Sequence, residues 1–183
     1  MDENYRETVL QEDERYAGHI IRVTEQVVAL PDGRKAHRDI VYHSGAIAIL
    51  ALTDDGKMIL EEQWRAPVQA KTLEIPAGKV DNRDDNYLDT VQRELNEETR
   101  LSADHIEKIA GFYTSIGFSD EYMELYLATG LHPVEHALPQ DDDESIDLKY
   151  YTLDEMNQLF SAGKLNDAKT LMAYFYWQTL QGK

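Results

Sequence analysis

Apolar residues are sparse and irregular over residues 1–17, where Tyr5, Val9, Leu10 and Tyr16 stand among acids, so this segment reads as a frayed arm or a short strand. From His19 to Leu30 Ile and Val become frequent. Pro31-Asp32-Gly33 then supplies a turn, and Arg34 to Tyr42 continues in strand-like composition, which predicts a hairpin. Ala46 to Leu52 is almost continuously apolar, the mark of a strand buried on both faces. Asp54-Asp55-Gly56 turns it into Met58 to Trp64, predicting a second hairpin. Leu73-Glu74-Ile75 reads as a short strand that leads into Pro76-Ala77-Gly78.

The period then changes. From about Asp85 the spacing of Leu88, Val91, Leu95 and, near the end, Leu101 predicts a helix with that side toward a core. His105 to Thr114 and Glu121 to Thr129 return to strand character around Ser115-Ile116-Gly117-Phe118-Ser119-Asp120, and Ile146 to Tyr151 makes a last strand. Thr152 or Asp154 caps a short helix over Leu153 to Phe160. Asn166 or Asp167 begins a longer one in which Leu171, Phe175 and Leu180 recur. Strands, one central helix, more strands and terminal helices predict a mixed α+β layered fold.

Length and charge narrow the picture. The 183 residues suffice for one substantial core, so one domain is expected. A formal charge of -17 argues against nucleic acid or an anionic membrane as the main partner, yet permits a phosphate substrate once a divalent metal reverses the local sign. There is no cysteine, hence no disulfide, thiolate metal site or cysteine nucleophile. MDENYRETVLQEDERY carries neither a basic start nor an apolar run, and a cytoplasmic protein is expected.

Candidate chemistry concentrates on the central helix. At about 100° per residue, Glu94, Glu97 and Glu98 fall on one arc beside the apolar stripe. Such a cluster is commonly just a solvated face. Arg93, one turn before Glu97, changes the odds, because a fixed guanidinium can hold one carboxylate while the others serve a hard cation. Clustered carboxylate oxygens suit Mg²⁺ or Mn²⁺.

The stretch Gly78 to Leu101 resembles the Nudix box, G-x5-E-x7-R-E-U-x-E-E-x-G-U, in which U is aliphatic. Gly78, Arg93, Glu94, Leu95, Glu97, Glu98 and Leu101 match it. Asp85 stands for the upstream Glu if one extra residue follows Gly78, and Arg100 replaces the late Gly. A residue there needs a left-handed cap, at about 1 kcal/mol, or a different helix end. The resemblance implies a Nudix-type α/β/α sandwich with a mixed sheet and an N-terminal β-hairpin extension over residues 1–43. It also implies Mg²⁺ (or Mn²⁺) on Glu94, Glu98 and the Ala77 carbonyl, with Glu97 as ligand or water-positioner beside Arg93.

Outside the box, Glu62-Gln63-Trp64-Arg65, Leu73-Glu74-Ile75-Pro76-Ala77-Gly78 and Gly117-Phe118-Ser119-Asp120-Glu121 resemble the ADP-ribose pyrophosphatase branch. Position 116, where that branch carries proline, holds Ile116. The likeness implies a nucleoside diphosphate sugar as substrate, with Arg65, Arg38, Glu74 and Gly117 as substrate-binding residues. For Arg38, surface salt bridging is an equal alternative, and Trp64 is expected in the core or in a dimer interface. Asp141-Asp142-Asp143-Glu144 has the composition of a solvated loop. In the family an acidic loop at this place supplies the general base or an extra metal ligand, which implies Glu144 first and Asp142 second. Members of the branch are commonly homodimers joined through the N-terminal strands. Two other readings stay open: a Nudix hydrolase for another sugar nucleotide or dinucleotide, and a Nudix module that binds nucleotide sugars without turnover.

Overall fold

A computed structural model of the chain describes residues 3–80, 83–140 and 145–181. Its contacts divide into two compact units, one of residues 1–45 and 112–122, the other of residues 46–111 and 123–183.

The first unit is built on an antiparallel sheet of β1 (Thr8–Ala17), β2 (Ile21–Ala29) and β3 (Lys35–His43), in that order. The β2–β3 pair is the hairpin that the Pro31-Asp32-Gly33 turn predicts. Gly33 lies at φ 83°, a left-handed value at which glycine carries no steric cost, and donates to the Leu30 carbonyl at 2.9 Å. The ten residues of β1 pair with β2 almost throughout, so the N-terminal segment is a full strand. Its side chains are nearly all exposed, and cross-strand charge pairs join it to β2: Arg15 Nη2 to Glu25 at 2.6 Å and Arg22 Nη1 to Glu12 at 3.3 Å. A strand exposed in this way shows no apolar alternation. The turn at 115–120 is tied to β3, with Val41 N–H donating to the Phe118 carbonyl at 2.7 Å and Asp120 N–H to that of Val41 at 3.1 Å.

The second unit starts with β4 (Ala46–Ala51), every residue of which is buried. It continues with β5 (Lys57–Arg65), β6 (Ala70–Glu74), β7 (Ala77–Lys79), α1 (Tyr87–Thr99), β8 (Leu101–Tyr113), β9 (Tyr122–Pro133), β10 (Asp147–Thr152), α2 (Leu153–Ser161) and α3 (Ala168–Gln181). A mixed sheet runs β7-β4-β9-β8 and a second sheet β10-β5-β6. The expected β4–β5 hairpin does not form as a paired ladder. Thr53 to Lys57 makes the turn and Leu52 bridges Met58, but the strands then part into different sheets. Both edges of β4 are occupied, by β9 in parallel and by β7 in antiparallel register, which leaves no edge for β5.

One face of β4 presents Ile47, Ile49 and Ala51 to Val91 and Leu95 of α1, with Ile59, Tyr126 and Ala128 completing the cluster. Ala46, Ala48 and Leu50 of the alternate positions are equally buried, and α3 also packs against β4. The result is the layered α+β sandwich that the motif implies. Two predicted stripes shift. Leu88, in the first turn of α1, is 41% exposed, while Thr90 takes the buried place and Leu101 already belongs to β8. On α3 the buried side is Thr170, Ala173, Tyr174 and Trp177, and Phe175 is exposed. That helix is apolar nearly all round, so periodicity alone does not select a face.

Helix α1 opens on Asn86, whose side chain accepts from Leu88 N at 2.9 Å and Asp89 N at 3.2 Å. It closes on Arg100 at φ 63° and ψ 24°, the left-handed cap and not the different helix end that the sequence also allowed. Arg100→Gly is expected to raise stability by about 0.5 kcal/mol, less than the full strain relief because the Arg100 guanidinium also donates to the Leu138 carbonyl. The midpoint of urea unfolding measures it.

Candidate active site

Helix α1 is amphipathic in an unusual sense, because the arc beside its apolar face is acidic and yet closed to solvent. Glu97 and Glu98 are 7% and 4% exposed. Buried carboxylates persist only when compensated. Arg93 supplies most of that compensation here: its Nη1 reaches Glu94 Oε1 and Glu97 Oε2, each at 2.8 Å. Its Nε and Nη2 grip the two oxygens of Asp84 at 3.0 and 2.8 Å, and Nη2 also donates to the Lys79 carbonyl at 3.1 Å. Burial would lower the Arg93 pKa, but the acids around it outweigh burial and hold it above its ordinary value. The guanidinium therefore binds three carboxylates, where the sequence suggested one.

Asp84 is the residue that sequence reasoning missed. Its side chain is 3% exposed and also accepts from Thr90 Oγ1 at 2.9 Å. Asp85 is exposed, and only its backbone N–H reaches Asp89, at 3.3 Å. The upstream acid of the box is thus Asp84, which stands at the regular spacing from Gly78. The extra residue lies between Asp84 and Arg93, where the chain enters α1. The signal was the spacing itself, counted forward from Gly78 and not backward from Arg93.

Glu98 accepts the Ala77 N–H at 3.2 Å, which ties α1 to β7. Gly78 lies directly under Glu94: a Cβ built there would meet Glu94 Oε1 at 1.8 Å. Only a glycine lets this carboxylate rest on the strand. Glu94, Glu97, Glu98 and the Ala77 carbonyl all carry oxygen donors at one strand–helix junction, and oxygen is the donor type that a hard divalent cation prefers. Among the described residues no three acidic or histidine side chains yet converge on one point, since Glu94 and Glu97 lean on Arg93 and Glu98 on Ala77.

Beside this junction Arg65 Nε and Nη2 grip Glu74 at 2.7 and 2.8 Å. Glu74 is buried. It also accepts Thr72 Oγ1 at 2.6 Å and the ammonium of Lys169. Burial would raise its carboxyl pKa, but Arg65 and Lys169 outweigh it and bring the value down to about 2. The unfolded chain titrates this group near its ordinary 4.5, so folding favours the ionised form. That contribution is complete above the unfolded value and disappears as pH falls through the folded one. Stability is therefore expected to drop by on the order of 3 kcal/mol between about pH 5 and pH 2 from this group alone. Urea midpoints measured against pH for wild type and Glu74→Gln isolate this contribution, and parallel curves would show that it is absent.

Arg38 and Gly117 belong to the first unit. Arg38 grips Glu7 through Nε at 3.1 Å and through Nη2 at 2.5 Å, and Gly117 is exposed in the 115–120 turn. Trp64 is 59% exposed, not core, because β5 leaves the interior after Glu61. Glu144 and Asp142 lie outside the described residues.

A family model described as NUDIX domain matches residues 41–174. The Methanol dehydrogenase activator of Bacillus methanolicus is 37% identical over 178 residues, which cover 97% of this chain and 96% of that protein. The ADP-ribose pyrophosphatase of Bacillus subtilis (strain 168) is 38% identical over 172 residues, covering 94% and 92%. A crystal structure of an ADP compounds hydrolase shares the fold at a TM-score of 0.84 and 20% identity, across 97% of this chain and 96% of that one. The chain belongs to the Nudix family. It is a pyrophosphohydrolase similar to the ADP-ribose pyrophosphatases, in a family generally dependent on divalent metal.

Proposed function

We propose that the chain hydrolyses the diphosphate bond of ADP-ribose with Mg²⁺ (or Mn²⁺), giving AMP and ribose 5-phosphate. The observation that carries this is Arg65, a partly exposed guanidinium in the electrostatic field of Glu98, in a chain 38% identical to an ADP-ribose pyrophosphatase. Glu94, Glu98 and the Ala77 carbonyl hold the ion, and Glu97 adds an oxygen or positions water. When bound, the ion neutralises the diphosphate and polarises phosphorus. Arg93 fixes the carboxylates before substrate arrives. Arg65 takes a phosphate oxygen, with Glu74 acting through it, and the resemblance assigns Arg38 and Gly117 to the same substrate. A carboxylate of the 141–144 segment, Glu144 before Asp142, takes the proton of the attacking water. The chain acts in the cytoplasm.

The test is phosphatase-coupled phosphate release from purified chain and Mg²⁺ over ADP-ribose, ADP-glucose, GDP-mannose, NADH and diadenosine polyphosphates. Preference for ADP-ribose is expected. Turnover of another compound alone would keep the chemistry and discard the substrate, while silence across the panel, Mn²⁺ included, would favour a binding module.

The relative from Bacillus methanolicus supports a second reading, activation of a methanol dehydrogenase. Dehydrogenase rates with and without the chain decide it. We also assign β1 to contact with a second copy. It is an edge strand of ten residues, and Val9, Leu10 and Tyr16 on it are each at least 50% exposed. Sedimentation is expected to give a homodimer, and a monomer would remove this assignment.

A further inference from the structure

Glu74 is a buried carboxylate with two cationic partners that differ in their freedom to leave. The Arg65 side chain is 43% exposed, and among the described residues its side-chain hydrogen bonds go to Glu74. Lys169 is 10% exposed, in the first turn of α3, and its ammonium also contacts Asp167 Oδ2 at 3.1 Å. Asp167 is fixed in turn. It accepts Thr170 N and Thr170 Oγ1 at 3.0 and 2.6 Å, and Thr170 Oγ1 accepts the Ile75 N–H at 2.9 Å, closing the network onto the residue before Pro76-Ala77-Gly78.

A single cation cannot be withdrawn from a buried carboxylate without stranding that charge, which is among the costliest changes a protein interior undergoes. Two cations remove the difficulty. If the exposed one turns toward a ligand, the buried one keeps the charge compensated, and Thr72 keeps one carboxylate oxygen hydrogen-bonded. We infer that Lys169 is a positioning residue: it holds the Glu74 charge so that Arg65 can leave Glu74 for a phosphate oxygen of the substrate. The inference rests on Arg65 being a substrate contact, as proposed above. Lys169 itself touches no substrate. Its position on α3, far along the chain from Glu74, is set by the α3 N-terminus and not by the box.

Lys169→Met removes the charge and keeps a stem of similar length. With Mg²⁺ and ADP-ribose, or whichever compound of the panel is turned over, its KM is expected to rise about tenfold while kcat falls less than about threefold. Among the described residues Arg65 would then be the only cation left on Glu74, and it would stay there. Adding Glu74→Gln removes the clamp, so the double variant is expected within about twofold of Glu74→Gln alone in KM. A purely structural lysine would raise KM equally in both backgrounds, and that result overturns the inference. So does an unchanged KM in Lys169→Met. Arg65→Gln separates the levels: a raised KM there with an unchanged KM in Lys169→Met sinks the inference alone. An unchanged KM in Arg65→Gln, or silence on the whole panel, sinks the substrate role and the inference together. If Lys169→Met fails to show a cooperative thermal transition, Glu74→Gln and Glu74→Gln/Lys169→Met decide the matter: equal KM values support the inference and a further rise in the double variant defeats it.

Discussion

Glu98→Gln is expected to lower kcat/KM by about a thousandfold or more while the chain stays folded. The amide preserves the shape of the side chain and an oxygen that can accept the Ala77 N–H, so the link from α1 to β7 survives. What disappears is one negative charge from the oxygens proposed above to hold the cation, and neutral amide oxygens hold Mg²⁺ far less well than carboxylates. The fold is not expected to suffer. Glu98 is 4% exposed next to Glu97 at 7%, and neutralising one of two crowded acids relieves repulsion in the metal-free protein. The thermal midpoint without metal should therefore hold or rise. The increase that Mg²⁺ gives the wild type should shrink in the variant, because a ligand stabilises only the state that binds it. Two readouts thus move in opposite senses. Wild-type turnover together with an undiminished response to Mg²⁺ would place the metal elsewhere.

Much of this site was legible in the sequence because its chemistry is local. Arg93, Glu94, Glu97 and Glu98 sit on one helical arc, and helical geometry alone brings them together. The left-handed cap at Arg100 was one of two helix ends the sequence allowed, and the structure takes it. The parts that escaped depend on contacts between distant segments. Lys169 meets Glu74 across 95 positions, and nothing in the spacing of either residue announces the other. The parting of β4 and β5 has the same origin, because β4 gives its edges to β9 and β7, partners that come much later or belong to a three-residue strand. Strand β1 was hidden for another reason. Its partners are hydrogen bonds and exposed ion pairs, and a buried face is what period-two patterning reports.

Arg93→Gln is expected to cause the largest loss of stability, about 3 to 5 kcal/mol near neutral pH, because it removes the shared partner of several enclosed acids. Asp84, Glu97 and Glu94 have side chains only 3%, 9% and 12% exposed, and all three are hydrogen-bonded to this guanidinium. Glutamine retains two donors and no charge, so it cannot serve the fork on Asp84 and the bridge to Glu94 and Glu97 together. Arg93→Lys should recover only part of the loss, since one ammonium is a point charge without that planar reach. The deficit is electrostatic, and its sign with pH follows. Glu97 keeps Arg83 and Asp84 keeps Thr90, but the enclosed acids lose their shared cation, and neutralising them on acidification should narrow the gap between variant and wild type. Mg²⁺ should narrow it too, at neutral pH, by returning positive charge to the same oxygens. Urea midpoints of the three proteins, with and without Mg²⁺ at pH 7 and at about pH 4.5, provide the measurement. A loss below about 1 kcal/mol that ignores both acid and Mg²⁺ would mean that Arg93 contributes no more than an exposed ion pair does. A loss that both conditions reduce would mean that the arginine holds in readiness the charge later given to the metal.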